Sequence, residues 1–114
     1  MARYEHLPIY KAAIELAIYF ENTVRNFSRY NKYTIGADLR NKSRQIACYI
    51  MRINSMDNKK PALKELVAMI EELKVTIRLC KESRAFYRFN SYMYSSRLTA
   101  ELSRQAQGWC NYAH

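Results

Sequence analysis

Glycine and proline are almost absent from this chain, with two of each in 114 residues. A β-sandwich or barrel needs many tight turns, so this shortage excludes those architectures and points to a few long helices. Histidine is equally rare, with two. Cysteine occurs three times, at positions 48, 80 and 110. An odd number without close spacing is neither a disulfide framework nor a zinc pattern. Each cysteine sits in an apolar stretch and is expected to be small core filler in a reducing cytosol. No run approaches the ~18 uncharged apolar residues of a membrane span. The opening Met1-Ala2-Arg3-Tyr4-Glu5-His6 lacks the apolar run and cleavage site of a signal peptide. Acidic side chains are also scarce: ten face nineteen Lys and Arg, a net charge of +9. An excess that large implies a polyanionic partner or an acidic surface, and says nothing about fold.

What is present is helical periodicity. Hydrophobic residues make up 49% and charged residues 25%, the balance of one globular domain spanning residues 1–114. Pro8 suits a first helical turn, where its missing N–H costs nothing. Ile9, Ala13, Leu16, Phe20, Val24 and Phe27 then share one face, widened by Ile14 and Ile18, which predicts a helix over 8–28. The segment Arg29-Tyr30-Asn31-Lys32-Tyr33 reads as a turn, and Thr34 as the N-cap of a helix over 34–54. Ile35, Leu39, Ile46, Ile50 and Ile53 form that helix's stripe, with Ser43 in one small polar slot. Pro61 restarts the chain. Leu63, Leu66, Ile70, Leu73, Ile77 and Cys80 step alternately by three and four, the strongest heptad, over 61–86. Asn90 or Ser91 caps a fourth helix over 91–107, with Leu98 and Leu102 as its clearest core positions. Tyr92, Tyr94, Ser95 and Ser96 dilute its pattern, and Gly108 marks fraying. Four such helices with short turns form an all-α, antiparallel up-down four-helix bundle.

That topology places residues 25–44 and 78–97 at one pole. The pole holds Arg25, Arg29, Lys32, Arg40, Lys42, Arg44, Arg78, Lys81, Arg84, Arg88 and Arg97, opposed only by Asp38 and Glu82. The remainder balances, so the whole +9 is assigned to one end. Phe27, Tyr30, Tyr33, Phe86, Tyr87, Phe89, Tyr92 and Tyr94 fall there too. Cations neutralise phosphates and rings stack on splayed bases, a combination suited to RNA. Phe27, Phe86 and Phe89 are expected to cap the core, leaving Tyr30 and Tyr33 as candidate stacking rings. Arg84 falls on the core stripe, four residues past Cys80, so it either snorkels past the bundle end or meets another subunit. Lys74, Arg78 and Lys81 form a like-charged row that an anion or acidic surface would relieve.

Catalytic patterns are missing. A di-iron bundle needs inward Glu-x-x-His pairs, and neither His6 nor His114 follows a Glu by three. A helical ribonuclease of the nucleotidyltransferase-associated type would carry Arg, four to six residues, then His; neither histidine fits. There is no phosphate-binding glycine loop. Glu71 and Glu72 point to different helical faces, and no cysteine has a histidine near it in sequence. No catalytic residue, metal ligand or cofactor is assigned.

The segments Tyr4-Glu5-His6-Leu7-Pro8-Ile9-Tyr10-Lys11 and Val24-Arg25-Asn26-Phe27-Ser28-Arg29-Tyr30-Asn31-Lys32-Tyr33-Thr34-Ile35-Gly36, with Leu39-Arg40 after them, resemble the accessory variability determinant (Avd) proteins of diversity-generating retroelements. Glu72-Leu73-Lys74-Val75, Ile77-Arg78-Leu79-Cys80-Lys81-Glu82, Ser103-Arg104-Gln105 and Gly108-Trp109 extend the likeness over nearly the whole chain. Ala37-Asp38 depart from it mildly, and the tail after Trp109 adds nothing. A looser likeness is to the four-helix-bundle proteins encoded in ribosomal RNA intervening sequences. The resemblance implies a non-catalytic, cytoplasmic, prokaryotic or phage-encoded protein that assembles as a barrel-shaped homopentamer. It implies partners: the element's reverse transcriptase and its template RNA, with cDNA or other DNA as related ligands, and no membrane. The role implied is support of mutagenic reverse transcription. On matching positions it implies contacts by Arg25, Arg29, Lys32, Arg40, Arg78 and Lys81; Arg44 and Arg84 are added by charge and periodicity. Two other readings stand beside it: a protein-interaction module whose basic pole docks an acidic protein, and an intervening-sequence-type bundle without a transcriptase.

Overall fold

The computed structural model describes residues 3–113. His114, one of the two histidines weighed above, lies outside them. A 3-10 turn, Tyr4–His6, leads into five α-helices: α1 (Pro8–Val24), α2 (Arg29–Tyr33), α3 (Ile35–Asn54), α4 (Lys60–Glu82) and α5 (Phe89–Tyr112). No strand occurs among the described residues. The four long helices form an all-α bundle 43 Å long and 21 Å across. Short connections make sequential helices antiparallel. α3 packs against α1 and α4, and α5 closes the square against the same two, which leaves α1 and α4 on one diagonal.

The core follows the predicted stripes. Leu16 and Phe20 of α1, Leu39, Ile46 and Ile50 of α3, and Leu63, Leu66, Ile70 and Leu73 of α4 are fully buried. Ser43 is buried as expected, its hydroxyl donating to the Leu39 carbonyl at 2.9 Å. The weakly periodic α5 buries Leu102, Ala106 and Cys110 together with Ser95 and Thr99. Those two hydroxyls donate to the Ser91 and Ser95 carbonyls at 2.8 and 2.7 Å, so polar groups enter the core already satisfied. Leu98 is only half-buried. At the far end Lys60 Nζ donates to the Cys110 carbonyl, tying the start of α4 to the last turn of α5.

Several expectations need correction. α1 stops at Val24, four residues short, and Arg29–Tyr33 is helical rather than a turn. Ser28 supplies the cap there, accepting from the Asn31 N–H at 3.4 Å. Thr34 does not cap α3; its hydroxyl donates back to the Tyr30 carbonyl at 2.8 Å. α4 ends at Glu82 rather than near 86. α5 begins at Phe89 without a side-chain cap and runs through Gly108 to Tyr112. Gly108 has open space around it and interrupts nothing. Ile14 packs half-buried against the core and widens the stripe as expected, whereas Ile18 is exposed and does not. Cys80 and Cys110 are core filler, but Cys48 is exposed.

Candidate nucleic-acid interface

One pole of the bundle is built from two crossovers, α1–α2–α3 and α4–α5. At the first, Gly36 permits an approach no other residue allows. A Cβ there would stand 2.7 Å from Val24 Cγ1 and 2.9 Å from the Asn31 carbonyl oxygen. The α3 start can therefore press on the α1 end, and Phe27, just past α1, turns into the core with 4% exposure.

At the second, α4 closes in a Schellman motif. The Ala85 N–H donates to the Cys80 carbonyl at 2.8 Å and the Arg84 N–H to the Lys81 carbonyl at 3.1 Å. The residue in the left-handed position is Arg84, φ +60°, where glycine is the usual occupant. This geometry takes Arg84 off the core stripe. The helix has ended, Ala85 takes the buried position, and the Arg84 side chain stands in solvent. The crossovers meet where Phe27 and Phe86 pack edge to face, ring centroids 5.6 Å apart. Phe86 also touches Tyr92, and Lys81 Nζ lies 5.2 Å from the centre of the Tyr92 ring.

The basic residues at this pole divide into two groups. Arg40 and Arg44 both converge on Glu21 of α1. Arg40 Nη2 donates to the Glu21 carbonyl at 2.8 Å and its Nε lies 3.2 Å from Glu21 Oε2. Arg44 reaches Glu21 Oε1 from Nε and Nη2 at 2.9 and 2.6 Å. These two arginines clamp α3 to α1. On α4, Arg78 Nε donates to Glu82 Oε1 at 3.0 Å and Lys81 Nζ lies 3.5 Å from the same oxygen. Arg78 and Lys81 hold the exposed Glu82 carboxyl below its usual pKa, the Arg78 hydrogen bond being the larger cause. Lys74 pairs with Glu71 at 2.8 Å. Two carboxylates thus face the three cations of the row Lys74, Arg78 and Lys81, so the row is partly compensated along its own helix. A groove of about 360 Å³ between α4 and α5 has Lys74, Arg78 and Tyr92 among its walls.

The second group has no side-chain partner among the described residues: Arg25, Arg29, Lys32, Lys42, Arg84, Arg88 and Arg97. Within residues 25–44 and 78–97, Asp38 is the one acid outside an ion pair. Around these cations stand Tyr30, Tyr33, Tyr87 and Phe89, exposed at 77%, 73%, 79% and 63%. Tyr30 and Tyr33 were expected there. Phe89 was expected to cap the core and does not, because α5 starts at that residue and its ring leans outward on Tyr92 at 5.8 Å. Tyr87 precedes α5 and has no buried face to join.

Of the residues predicted from sequence, Arg25, Arg29, Lys32 and Arg84 share this open surface, while Arg40, Arg44, Arg78 and Lys81 are partnered. Sequence reasoning placed Tyr87, Arg88 and Phe89 at this pole without selecting them as contacts, and missed Glu21. A hairpin of antiparallel helices folding about residues 30 and 31 places position 21 opposite position 40, the register in which the Glu21 clamp sits.

The buried Cys80 thiol is pushed up to about 12, mainly by burial and secondarily by the Asp38 charge, so it is no nucleophile at neutral pH. No cluster of three His, Cys, Asp or Glu side chains able to hold a metal occurs among the described residues. None of their helices is long and apolar enough to cross a membrane. Neither a protein-family model nor a curated protein matches the chain.

Proposed function

We propose that this chain is a non-catalytic nucleic-acid-binding accessory subunit of a diversity-generating retroelement, engaging template RNA and the reverse transcriptase through the basic pole. One observation carries the RNA part: the unpartnered cations Arg25, Arg29, Lys32, Arg84 and Arg88 and four exposed rings belong to the two crossovers at one end of the bundle. Unpaired guanidinium groups release condensed counterions when they meet phosphates, and exposed rings accept bases without a hydrogen-bond code. The transcriptase and the retroelement rest on the resemblance of residues 4–11, 24–36 and 39–40.

Homopentameric assembly belongs to the same reading. Ile14 and Ile18 with Glu15 lie on α1, and Val75 and Leu79 directly follow Lys74 and Arg78 on α4; Ile18, Val75 and Leu79 are exposed. α1 and α4 are diagonal, so these apolar faces look in opposite directions. Contact between one copy's α1 face and the next copy's α4 face is head-to-tail, a contact that gives a ring when the rotation between copies closes and an open filament when it does not; the resemblance favours the ring. Five copies would bring five times +9 together and bind a polyanion far more tightly than one.

The test is capture of the cognate reverse transcriptase and template RNA with and without nuclease, beside the variant R25Q/R29Q/R88Q. Loss of RNA in the variant, with the fold intact, supports the reading. A partner protein retained equally by both, with no RNA bound at ~50 mM salt, favours the protein-interaction module instead. RNA binding without transcriptase capture favours the intervening-sequence type.

A further inference from the structure

Between the C-terminal end of α1 and the start of α5 lies a cleft of about 430 Å³, lined by Thr23, Asn26, Tyr87, Arg88 and Ser91. Its volume falls in the ~300–1,000 Å³ range of sites that take small organic groups. Its hydroxyls differ from those packed in the core and at the end of α4. Ser43, Thr76, Ser83, Ser95 and Thr99 each spend their hydroxyl on a carbonyl one turn back. Thr23 and Ser91 do not, and the Asn26 amide and Arg88 guanidinium make no side-chain hydrogen bond among the described residues. One aromatic face, one carboxamide, two hydroxyls and one guanidinium therefore converge on a single opening with their bonding capacity unspent.

That set matches the parts of a nucleotide one for one. Tyr87 offers a face for the base. Asn26 carries both donor and acceptor, as a base edge does. Thr23 and Ser91 suit the sugar or the remaining base edge, and Arg88 suits the phosphate. A base still stacked and paired in a duplex could not enter a cleft between two helices.

We infer that this cleft seats one unstacked nucleotide of single-stranded nucleic acid, with Tyr87 as stacking face, Asn26 as edge reader and Arg88 as phosphate clamp. The inference rests on the polyanion reading of the pole and deepens it by choosing single strands over duplex.

The experiment titrates the full chain with a 12-nucleotide single-stranded RNA and with its duplex at ~0.1 M salt. It uses the wild type, Tyr87→Leu, Tyr87→Trp, Asn26→Ala and Arg97→Gln. Tyr87 and Asn26 are exposed, and unchanged thermal melting verifies that the variants fold. The expected result is stronger binding of the single strand, a loss of about fivefold or more in Tyr87→Leu on the single strand alone, and a smaller loss in Asn26→Ala. The indole fluorescence added by Tyr87→Trp should be quenched on binding, with the native Trp109 signal, measured in the wild type, unchanged. Arg97→Gln should weaken both ligands alike. Equal binding of single strand and duplex, with Tyr87→Leu and Asn26→Ala unchanged, overturns the nucleotide seat and leaves the basic pole standing. No binding of either RNA at ~50 mM salt overturns both.

Discussion

Phe27 and Phe86 meet at 87° with ring centroids 5.6 Å apart, one ring from each crossover at the basic pole. They hold together two loops that carry like charge, which would otherwise repel. The contact converts an apolar contribution at the bundle end into fixed positions for Arg25, Arg29, Arg84 and Arg88.

Phe27→Ala is expected to cost about 3 kcal/mol in urea unfolding, as a buried aromatic truncation does. Phe86→Ala should cost less, since Phe86 is half-buried. The double variant should cost less than the sum, with a coupling of about 0.5–1.5 kcal/mol. Strict additivity would show that the rings do not cooperate.

Three backbone positions give opposite signs. Arg84→Gly relieves a left-handed residue and should stabilise the fold by about 0.5–1 kcal/mol, while removing one cation from the basic pole. Gly108→Ala meets open space inside α5 and should stabilise by up to about 1 kcal/mol. Gly36→Ala forces a Cβ against Val24 and the Asn31 carbonyl and should destabilise by about 1–3 kcal/mol. Thermal melting of the three variants reads all the signs at once.

Stability and binding should separate by arginine. Arg40→Gln leaves Glu21 short of a partner in a part-buried contact and should cost about 1–2 kcal/mol of stability. Arg25→Gln with Arg29→Gln should leave melting within about 0.5 kcal/mol and weaken RNA binding several-fold. The reverse pattern would move the interface from the pole tip to the α1–α3 seam.

The thiols give a test by pH. Cys48 should react quickly with a thiol reagent at pH 8, and Cys80 and Cys110 only on unfolding. Below pH 9 the Cys80 thiol is protonated in both states and adds no pH dependence. Above it, the unfolded thiol loses its proton while the folded one holds it to about 12. The folded state then binds more protons, so stability should fall as pH rises, at a limiting slope near 1.4 kcal/mol per pH unit for this group. Tyr49, raised mainly by burial and by its hydrogen bond to Glu65, acts in the same direction. Cys80→Ala should flatten this limb.

The bundle was legible because its stripes repeat over several helical turns, as from Leu63 to Cys80. The crossovers were not, because a short helix such as α2 has no stripe. Its start depends on the single Ser28 cap and its fit on the missing Gly36 Cβ. Phe89 read as core because aromatic residues usually are. Its exposure follows from α4 ending at Glu82, which depends on Arg84 adopting a left-handed conformation that sequence does not favour there. Charge could be assigned to a pole from topology alone. Which cations are spent could not, since Glu21 answers Arg40 and Arg44 from 19 and 23 residues away.

The most direct measurement is the salt dependence of RNA binding from ~50 to ~300 mM, comparing the wild type with R25Q/R29Q/R88Q. A basic pole carrying the unpartnered Arg25, Arg29, Lys32, Arg84 and Arg88 predicts that log affinity falls against log salt with a slope steeper than about −3, and that the triple variant is shallower by about 2. A flat slope, or one the three substitutions leave unchanged, would contradict a polyanion site at this pole.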